Sequence, residues 1–332
     1  MRKKLSVLLV VLFVLLSVGV VSAAEYTIKV GNTQPMGHIY NQGLLRFKEL
    51  VEDRSNGEIE VQIFPSSQLG DERDLVEGLQ LGTVQMALSS TGPLGGFVTE
   101  IMVLDLPYLF KNRAHAYSVL DGEIGQELSK GFVDAGIRNL GYWENGWRNI
   151  TNSVRPIYEP EDLNGIKIRV MESKLMLASL EAMGASPLPM AFSEVYTALE
   201  QGTIDAQENP LAVIYSNNFA EVQEYLSMTQ HFYNPALLLI SESFYSSLPE
   251  DYKEIVRKSA SEAKEYERYL SILADERLLG KLQEEGMEVN SVDKDAFVEA
   301  TKSVYDENAK MIGEGDKEAG LELMNKIQNY DY

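Results

Sequence analysis

The chain has 332 residues, 50 acidic against 29 basic side chains, three histidines and no cysteine, giving a formal net charge of −21. The missing cysteine rules out disulfides, thiol nucleophiles and thiolate metal sites, and the acidic balance argues against nucleic acid and anionic membrane surfaces as partners. Such a length supplies one or two sizeable cores, and two domains are the better expectation.

Met1-Arg2-Lys3-Lys4, an apolar run over 5–21 and Ser22-Ala23-Ala24 make a secretory signal peptide over 1–23, cut after Ala23 or Ala24. An uncleaved anchor is the alternative, because the run approaches the length of a bilayer span; small residues ahead of polar Glu25-Tyr26-Thr27 favour cleavage. Cleavage removes Arg2, Lys3 and Lys4 and no acid, which takes the net charge from −21 to −24. No later apolar stretch is long enough to span a bilayer, and no cysteine is there to carry a lipid, so the mature chain is expected to be soluble.

Residues 26–30 alternate as a strand, 39–51 follow a helical pattern that stops at Asn56-Gly57, and 59–63 alternate again, closing a βαβ unit. A helix over 71–80, a strand over 84–89 and the apolar stretch 103–106 continue an α/β domain. A second such unit begins after Trp147, with an extended piece over 149–152, alternation over 166–170 and a helix over 175–183. Ser193 can cap a further helix whose Val195, Ala198 and Leu199 share one face before Gly202 ends it.

No repeat or flexible linker separates the two α/β lobes, so several crossing segments should join them. Ser247-Leu248-Pro249-Glu250 has the form of a capping box with Pro in the first turn. An unbroken helix from there to 285 would be roughly 57 Å long at about 1.5 Å per residue and should span both lobes. The alternative is a hinge at Gly280.

Enzyme signatures are scarce. His38, His115 and His231 are far apart and lack the paired spacing of a zinc site, and no phosphate loop, dinucleotide fingerprint or nucleophile elbow occurs. Ser261-x-x-Lys264 lies within the long polar helix without companion motifs. The acidic pairs Asp71-Glu72 and Glu161-Asp162 suit general acid–base work, but at helix starts they read as complements to the helix dipole.

Binding signals are better placed. Ile166, Ile168 and Val170 alternate, so Lys167 and Arg169 share the other face of that strand, with Arg169 at its carboxyl end, where open α/β sheets place ligands. A guanidinium grips a carboxylate through two parallel hydrogen bonds, which lysine cannot reproduce; a solvated strand-end charge is the plainer alternative. Arg148 follows Trp143-Glu144-Asn145-Gly146-Trp147 at the apparent lobe junction, a ligand wall or an aromatic interface core. Asn209, before Pro210, can donate and accept or simply turn the chain, and Phe192 can stack on a ligand or pack.

The block from Gly184 to Pro210, GASPLPMAFSEVYTALEQGTIDAQENP, closely resembles solute-binding proteins of tripartite ATP-independent periplasmic (TRAP) transporters of the DctP type. So do PSSQLGDER from Pro65, DLPYLF from Asp105 and LNGIKIRV from Leu163, in order along nearly the whole mature chain. The resemblance implies an α/β, two-lobe periplasmic binding protein with a ligand cleft between the lobes and a long helix spanning both. One lobe would comprise 25–146 with about 234–273, the other 147–233 with about 274–332.

It implies further that Arg169 forms the principal salt bridge to a ligand carboxylate, that Arg148 and Asn209 assist, that Phe192 walls the cleft, and that Ser89 to Gly92 face the rest of the ligand. Sialic-acid binders carry Glu where Ser90 stands here, which argues against sialic acid. His38, Asn32, Gln34, Trp143 and Glu172 add polar or stacking partners beyond the needs of a small dicarboxylate, so a sugar acid such as a hexuronate leads, followed by a C4-dicarboxylate. The expectation is a monomeric, periplasmic binding subunit with no cofactor or metal and no catalysis, whose partners are a small carboxylate and the TRAP membrane subunits. A secreted lyase acting on acidic sugars is the rival from another class, and a two-lobe sensor subunit the third reading.

Overall fold

The computed structural model describes residues 24–332; the signal peptide expected over 1–23 lies outside them. In chain order the strands are β1 (Tyr26–Gly31), β2 (Ile59–Phe64), β3 (Met86–Ser90), β4 (Ile137–Asn152), β5 (Lys167–Val170), β6 (Ser186–Pro189), β7 (Ala206–Asn209), β8 (Tyr225–Ser241) and β9 (Glu288–Asn290). The helices are α1 (Ile39–Arg54), α2 (Glu72–Leu81), α3 (Thr91–Leu94), α4 (Arg113–Asp121), α5 (Glu123–Asp134), α6 (Lys174–Ala182), α7 (Val195–Glu200), α8 (Leu211–Ser216), α9 (Glu242–Ser247), α10 (Glu250–Glu284), α11 (Lys294–Ala300), α12 (Lys302–Ile312) and α13 (Lys317–Gln328).

The strands form one sheet in the order β2-β1-β3-β8-β4-β7-β5-β6, with β9 on the end of β8. β1 pairs in parallel with β2 and β3, and β5 with β6 and β7, so each half of the sheet is a parallel unit fed by helices. The 16-residue β4 and the 17-residue β8 run antiparallel between the halves and join them. The segment from Trp143 to Trp147 is therefore continuous strand with the extended piece over 149–152. The register of β4 slips near Gly141 and between Glu144 and Gly146, both glycines having positive φ, and such bulges bend a long strand where two lobes meet.

Helix α10 runs unbroken through Gly280, so the hinged alternative does not occur. At 35 residues it is about 52 Å long. It packs on α1 and β4 at Gly43, where a Cβ would stand 2.5 Å from the Trp143 ring and 2.9 Å from Glu267; only glycine lets these elements approach so closely. The capping box expected at Ser247 does not form. Ser247 ends α9, its hydroxyl donates to the Phe244 carbonyl, and Pro249 stands at the cap of α10.

Three apolar clusters hold the fold. One joins Ile28, Leu44, Phe47, Val61 and Trp143 to Val256, Leu278 and the buried face of α7 and α8. A second gathers Leu75, Ile101, Leu128 and Phe132 with Val304, Ile312 and Ile327 of the last two helices, and a third lies under β5 and α6 around Ile168, Met176 and Phe297. Each fully buried Leu, Ile or Phe contributes roughly 1.5–3 kcal/mol of transfer free energy.

Candidate functional site

The carboxyl ends of β1, β3, β5 and β7 converge from the two halves of the sheet. After β1 come Thr33 and Gln34, Ser90 ends β3, Arg169 lies near the end of β5 with Met171 just beyond, and Asn209 ends β7. Asn145 and Arg148 of β4 complete the wall, together with Tyr40 from α1, Glu72 from α2 and Phe192 from the turn before α7. They enclose about 270 Å³, and an adjoining space of about 210 Å³ shares Glu72, Arg169 and Phe192. Both are narrow: about 10 Å³ in each admits the centre of a water molecule.

Polar contacts shut the mouth. Ser193 donates its hydroxyl to Asp71 at 2.6 Å, and Asn217 donates to Gln34 at 2.9 Å. Ser193 therefore does not cap α7, because its hydroxyl is taken across the cleft by Asp71.

Lys167 and Arg169 share a face of β5 but differ by position along it: Lys167 at the start of the strand is exposed, whereas Arg169 near the carboxyl end is 2% exposed. Its Nε and Nη2 donate to the Met190 carbonyl at 2.9 and 2.8 Å, its guanidinium carbon lies 5.7 Å from the Phe192 ring centre, and its Nη1 has no partner among the described residues. Burial, reinforced by nearby Arg148, lowers its pKa to about 10. A buried cation with a free edge is set to receive an anion.

Arg148 is differently occupied. Its Nη2 donates to Glu208 Oε1 at 2.8 Å and to the Glu208 carbonyl at 2.6 Å, while Nε meets Oε2, so this pair is satisfied internally and both side chains are fully buried. Burial alone would raise Glu208, but Arg148 and His231 outweigh it and hold its pKa at about 2. His231 lies 3.3 Å from Glu208 and bonds Thr229 through Nδ1. Beneath Arg148, Asn234 donates to Asp105 and Thr91. Burial raises Asp105 to about 7 despite the hydrogen bond from Thr91.

Six sequence candidates, Arg169, Arg148, Asn209, Phe192, Ser90 and Gln34, line the first cavity. Glu172 borders the second and is exposed. His38 and Trp143 line neither. His38 caps α1, where its Nδ1 accepts from the Tyr40 N–H, and burial lowers its pKa to about 3. Trp143 is fully buried beneath α10. Asn32 bonds Asn41 within the fold.

Glu72 stands in the first turn of α2, as the dipole reading expects, but it also reaches into the cavity. Asp74 satisfies the Asp71 N–H at the helix start, which leaves Glu72 to turn inward, where it accepts from the Ser90 N–H at 2.7 Å and hydroxyl at 2.8 Å. Burial raises its pKa. The clue in the sequence is that two consecutive acids cannot both serve one cap. Asn145 lines the cavity from the Trp143–Trp147 segment that read as a possible ligand wall, whereas Tyr40 carries no signal apart from the fold that brings it in.

Residues 30–311 match the model of bacterial extracellular solute-binding protein family 7, DctP. The 2,3-diketo-L-gulonate-binding periplasmic protein of Escherichia coli K12 is 39% identical over 256 residues, covering 77% of this chain and 78% of that protein. A TRAP periplasmic solute-binding protein of Polaromonas sp. JS666, solved bound to D-erythronate, superposes with a TM-score of 0.88 at 39% identity over 92% of this chain and 99% of that one. Another from Sulfitobacter sp. NAS-14.1, with bound β-D-galacturonate, gives 0.87 at 33% identity over 91% and 99%.

Proposed function

This chain belongs to the DctP family of extracellular solute-binding proteins, and from that membership we propose that it captures a sugar acid of the hexuronate class around Arg169 for uptake by TRAP membrane subunits. One observation carries the reading: the unpartnered Nη1 of a buried arginine at a cavity rimmed with hydrogen-bonding groups. A ligand carboxylate supplies the missing acceptor, and a charge-assisted bond of this kind is worth about 1.5–3 kcal/mol. Gln34, Asn145, Asn209 and the Ser90–Glu72 pair meet its hydroxyls.

The charge pattern separates ligand classes. Arg148 is neutralised by Glu208, so Arg169 is the cation left for the ligand, and Glu72 faces it from the other lobe. A second ligand carboxylate would meet Glu72, whereas a hydroxyl would donate to it. That favours a hydroxylated monocarboxylate over a C4-dicarboxylate. Glu72 also restores an acid beside Ser90, so preference for a hexuronate over sialic acid rests on the small cavity and not on a missing carboxylate.

Binding proceeds without turnover. Burial holds the Tyr40 hydroxyl well above its usual range, and the Glu72 carboxylate is occupied by the Ser90 N–H and hydroxyl, which supports a role for the lining in holding a ligand. Residues 25–146 with about 234–273 form the first lobe, and the second begins at 147. Packing of Val304, Ile312 and Ile327 against Ile101 and Leu128 supports placing the last two helices with the first lobe instead of the second. The protein works as a periplasmic monomer.

Calorimetric titration of D-galacturonate, D-glucuronate, succinate and sialic acid into the mature chain tests the reading. A uronate is expected to bind tightest. Tight succinate binding with no uronate binding overturns the sugar-acid assignment, and conversion of a bound uronate overturns binding without turnover.

A further inference from the structure

Trp147 and Arg148 are consecutive on β4 and so point to opposite faces of the sheet. Behind the wall that carries Arg148, Trp147 borders a second hollow together with Tyr108, Lys111, Arg113, Gln230 and Lys294. It is far roomier than the cleft, with about 460 Å³ open to water, a volume typical of small-molecule sites.

Its charge runs against that of the whole chain. Arg113 is balanced by Glu144 and Asp275. Lys111 lies 5.9 Å from the Tyr332 ring centre, and Lys294 donates to Gln230 at 2.9 Å; neither meets a carboxylate within ion-pair distance among the described residues. The neighbouring Asp293 is turned to the Ala296 N–H. Other lysines, among them Lys29, Lys167, Lys174 and Lys310, also lack an ion pair among the described residues; what sets Lys111 and Lys294 apart is that both border one hollow. Although Lys294 is exposed by surface area, the walls of the hollow desolvate its ammonium enough to lower its pKa, so it is a cation that an anion would stabilise.

The walls are also strained. Tyr108 and Gln230 both adopt left-handed backbone, with φ of 56° and 46°, which bulky residues avoid unless surrounding structure enforces it, and such strain concentrates at functional sites. Tyr108 is held by the His231 carbonyl, to which its N–H donates at 2.9 Å, and Gln230 by the Asn149 side chain, to which its N–H donates at 3.2 Å. Trp147 meanwhile packs edge-on against Tyr233, with ring centres 5.2 Å apart, which fixes the indole as a wall.

We propose that this hollow is a second binding site, separate from the cleft, for a small organic anion with a planar apolar face, Lys111 and Lys294 taking the charge and Trp147 the flat face. Calorimetry of the mature chain with phthalate, a planar dianion, and with uncharged benzamide tests it. Phthalate is expected to bind saturably and benzamide at least about tenfold more weakly, since only the dianion pairs with both ammonium groups. Lys111→Gln/Lys294→Gln, both at exposed positions, should weaken phthalate by about tenfold or more, whereas Arg169→Ala should leave it unchanged. No saturable phthalate binding up to about 10 mM, equal binding of benzamide, or loss in Arg169→Ala that matches the loss in the lysine variant would each overturn the proposal.

Discussion

Replacing Arg169 by lysine isolates hydrogen-bond geometry from charge. Arginine spends two N–H groups on Met190 and still presents Nη1 and the remaining Nη2 hydrogen to a carboxylate; a lysine ammonium reaches one oxygen at best from the same backbone position. Losing one or both charge-assisted bonds removes about 2–4 kcal/mol, which is roughly a 30- to 1,000-fold rise in Kd. Calorimetry with D-galacturonate reads this directly. The companion variant Arg169→Met separates binding from folding. Burial disfavours the native guanidinium, as its lowered pKa of about 10 indicates, so the methionine variant should melt at or above the temperature of the unaltered protein while losing ligand. A Kd for Arg169→Lys within about threefold of the native value would refute the clamp, as would a ligand-free Arg169→Met that melts well below the native chain.

Two further outcomes concern the polar groups beneath the cleft. Glu208→Gln leaves Arg148 as a buried cation without its counter-charge and should lower stability by about 3–5 kcal/mol in denaturant titration; adding Arg148→Met should recover much of that loss, and no recovery would show that the pair is not what the mutation broke. Asp105 has a folded pKa raised to about 7 from an ordinary 3.8, so the folded state keeps a proton that the unfolded chain releases, and native stability falls as pH rises from about 4 to about 7. Asp105→Asn should remove that slope, gaining about 3 kcal/mol on the native protein between pH 5 and pH 8; parallel stability profiles would refute the assignment.

Local periodicity made the two parallel halves of the sheet legible, because strands and helices over 26–63 and 166–183 bury residues at spacings of two and of three to four. It did not reveal β4 as one strand. Gly141 and Gly146 interrupt its alternation, and its partner β8 lies about ninety residues away in sequence. The same limit applies to caps: Ser193 and Ser247 both have the right residue type at a helix start, yet one hydroxyl is drawn across the cleft by Asp71 and the other back to Phe244. A side chain that can cap will abandon the cap for a nearer or charged acceptor, and only tertiary structure says where that acceptor is.

Residue type alone treats Arg148 and Arg169 as equivalent members of a clamp, and the structure gives them opposite tasks. Arg148 sits in the middle of a strand beside Glu208 and is satisfied by its neighbours, so it shapes the wall without needing a ligand. Arg169 sits at a strand end, held by a neutral carbonyl that orients the guanidinium but leaves its charge uncompensated. An orienting contact that does not neutralise keeps the cation pointing into the cavity and raises its free energy there, so that the gain on meeting a carboxylate is larger than an exposed arginine would give. On the proposed reading, the narrowness of the cavity and the Ser193–Asp71 contact at its mouth mean that the lobes part before a ligand enters. Closure around the ligand would remake that contact while Arg169 gains its counter-charge, so binding and closing draw on the same pair of interactions.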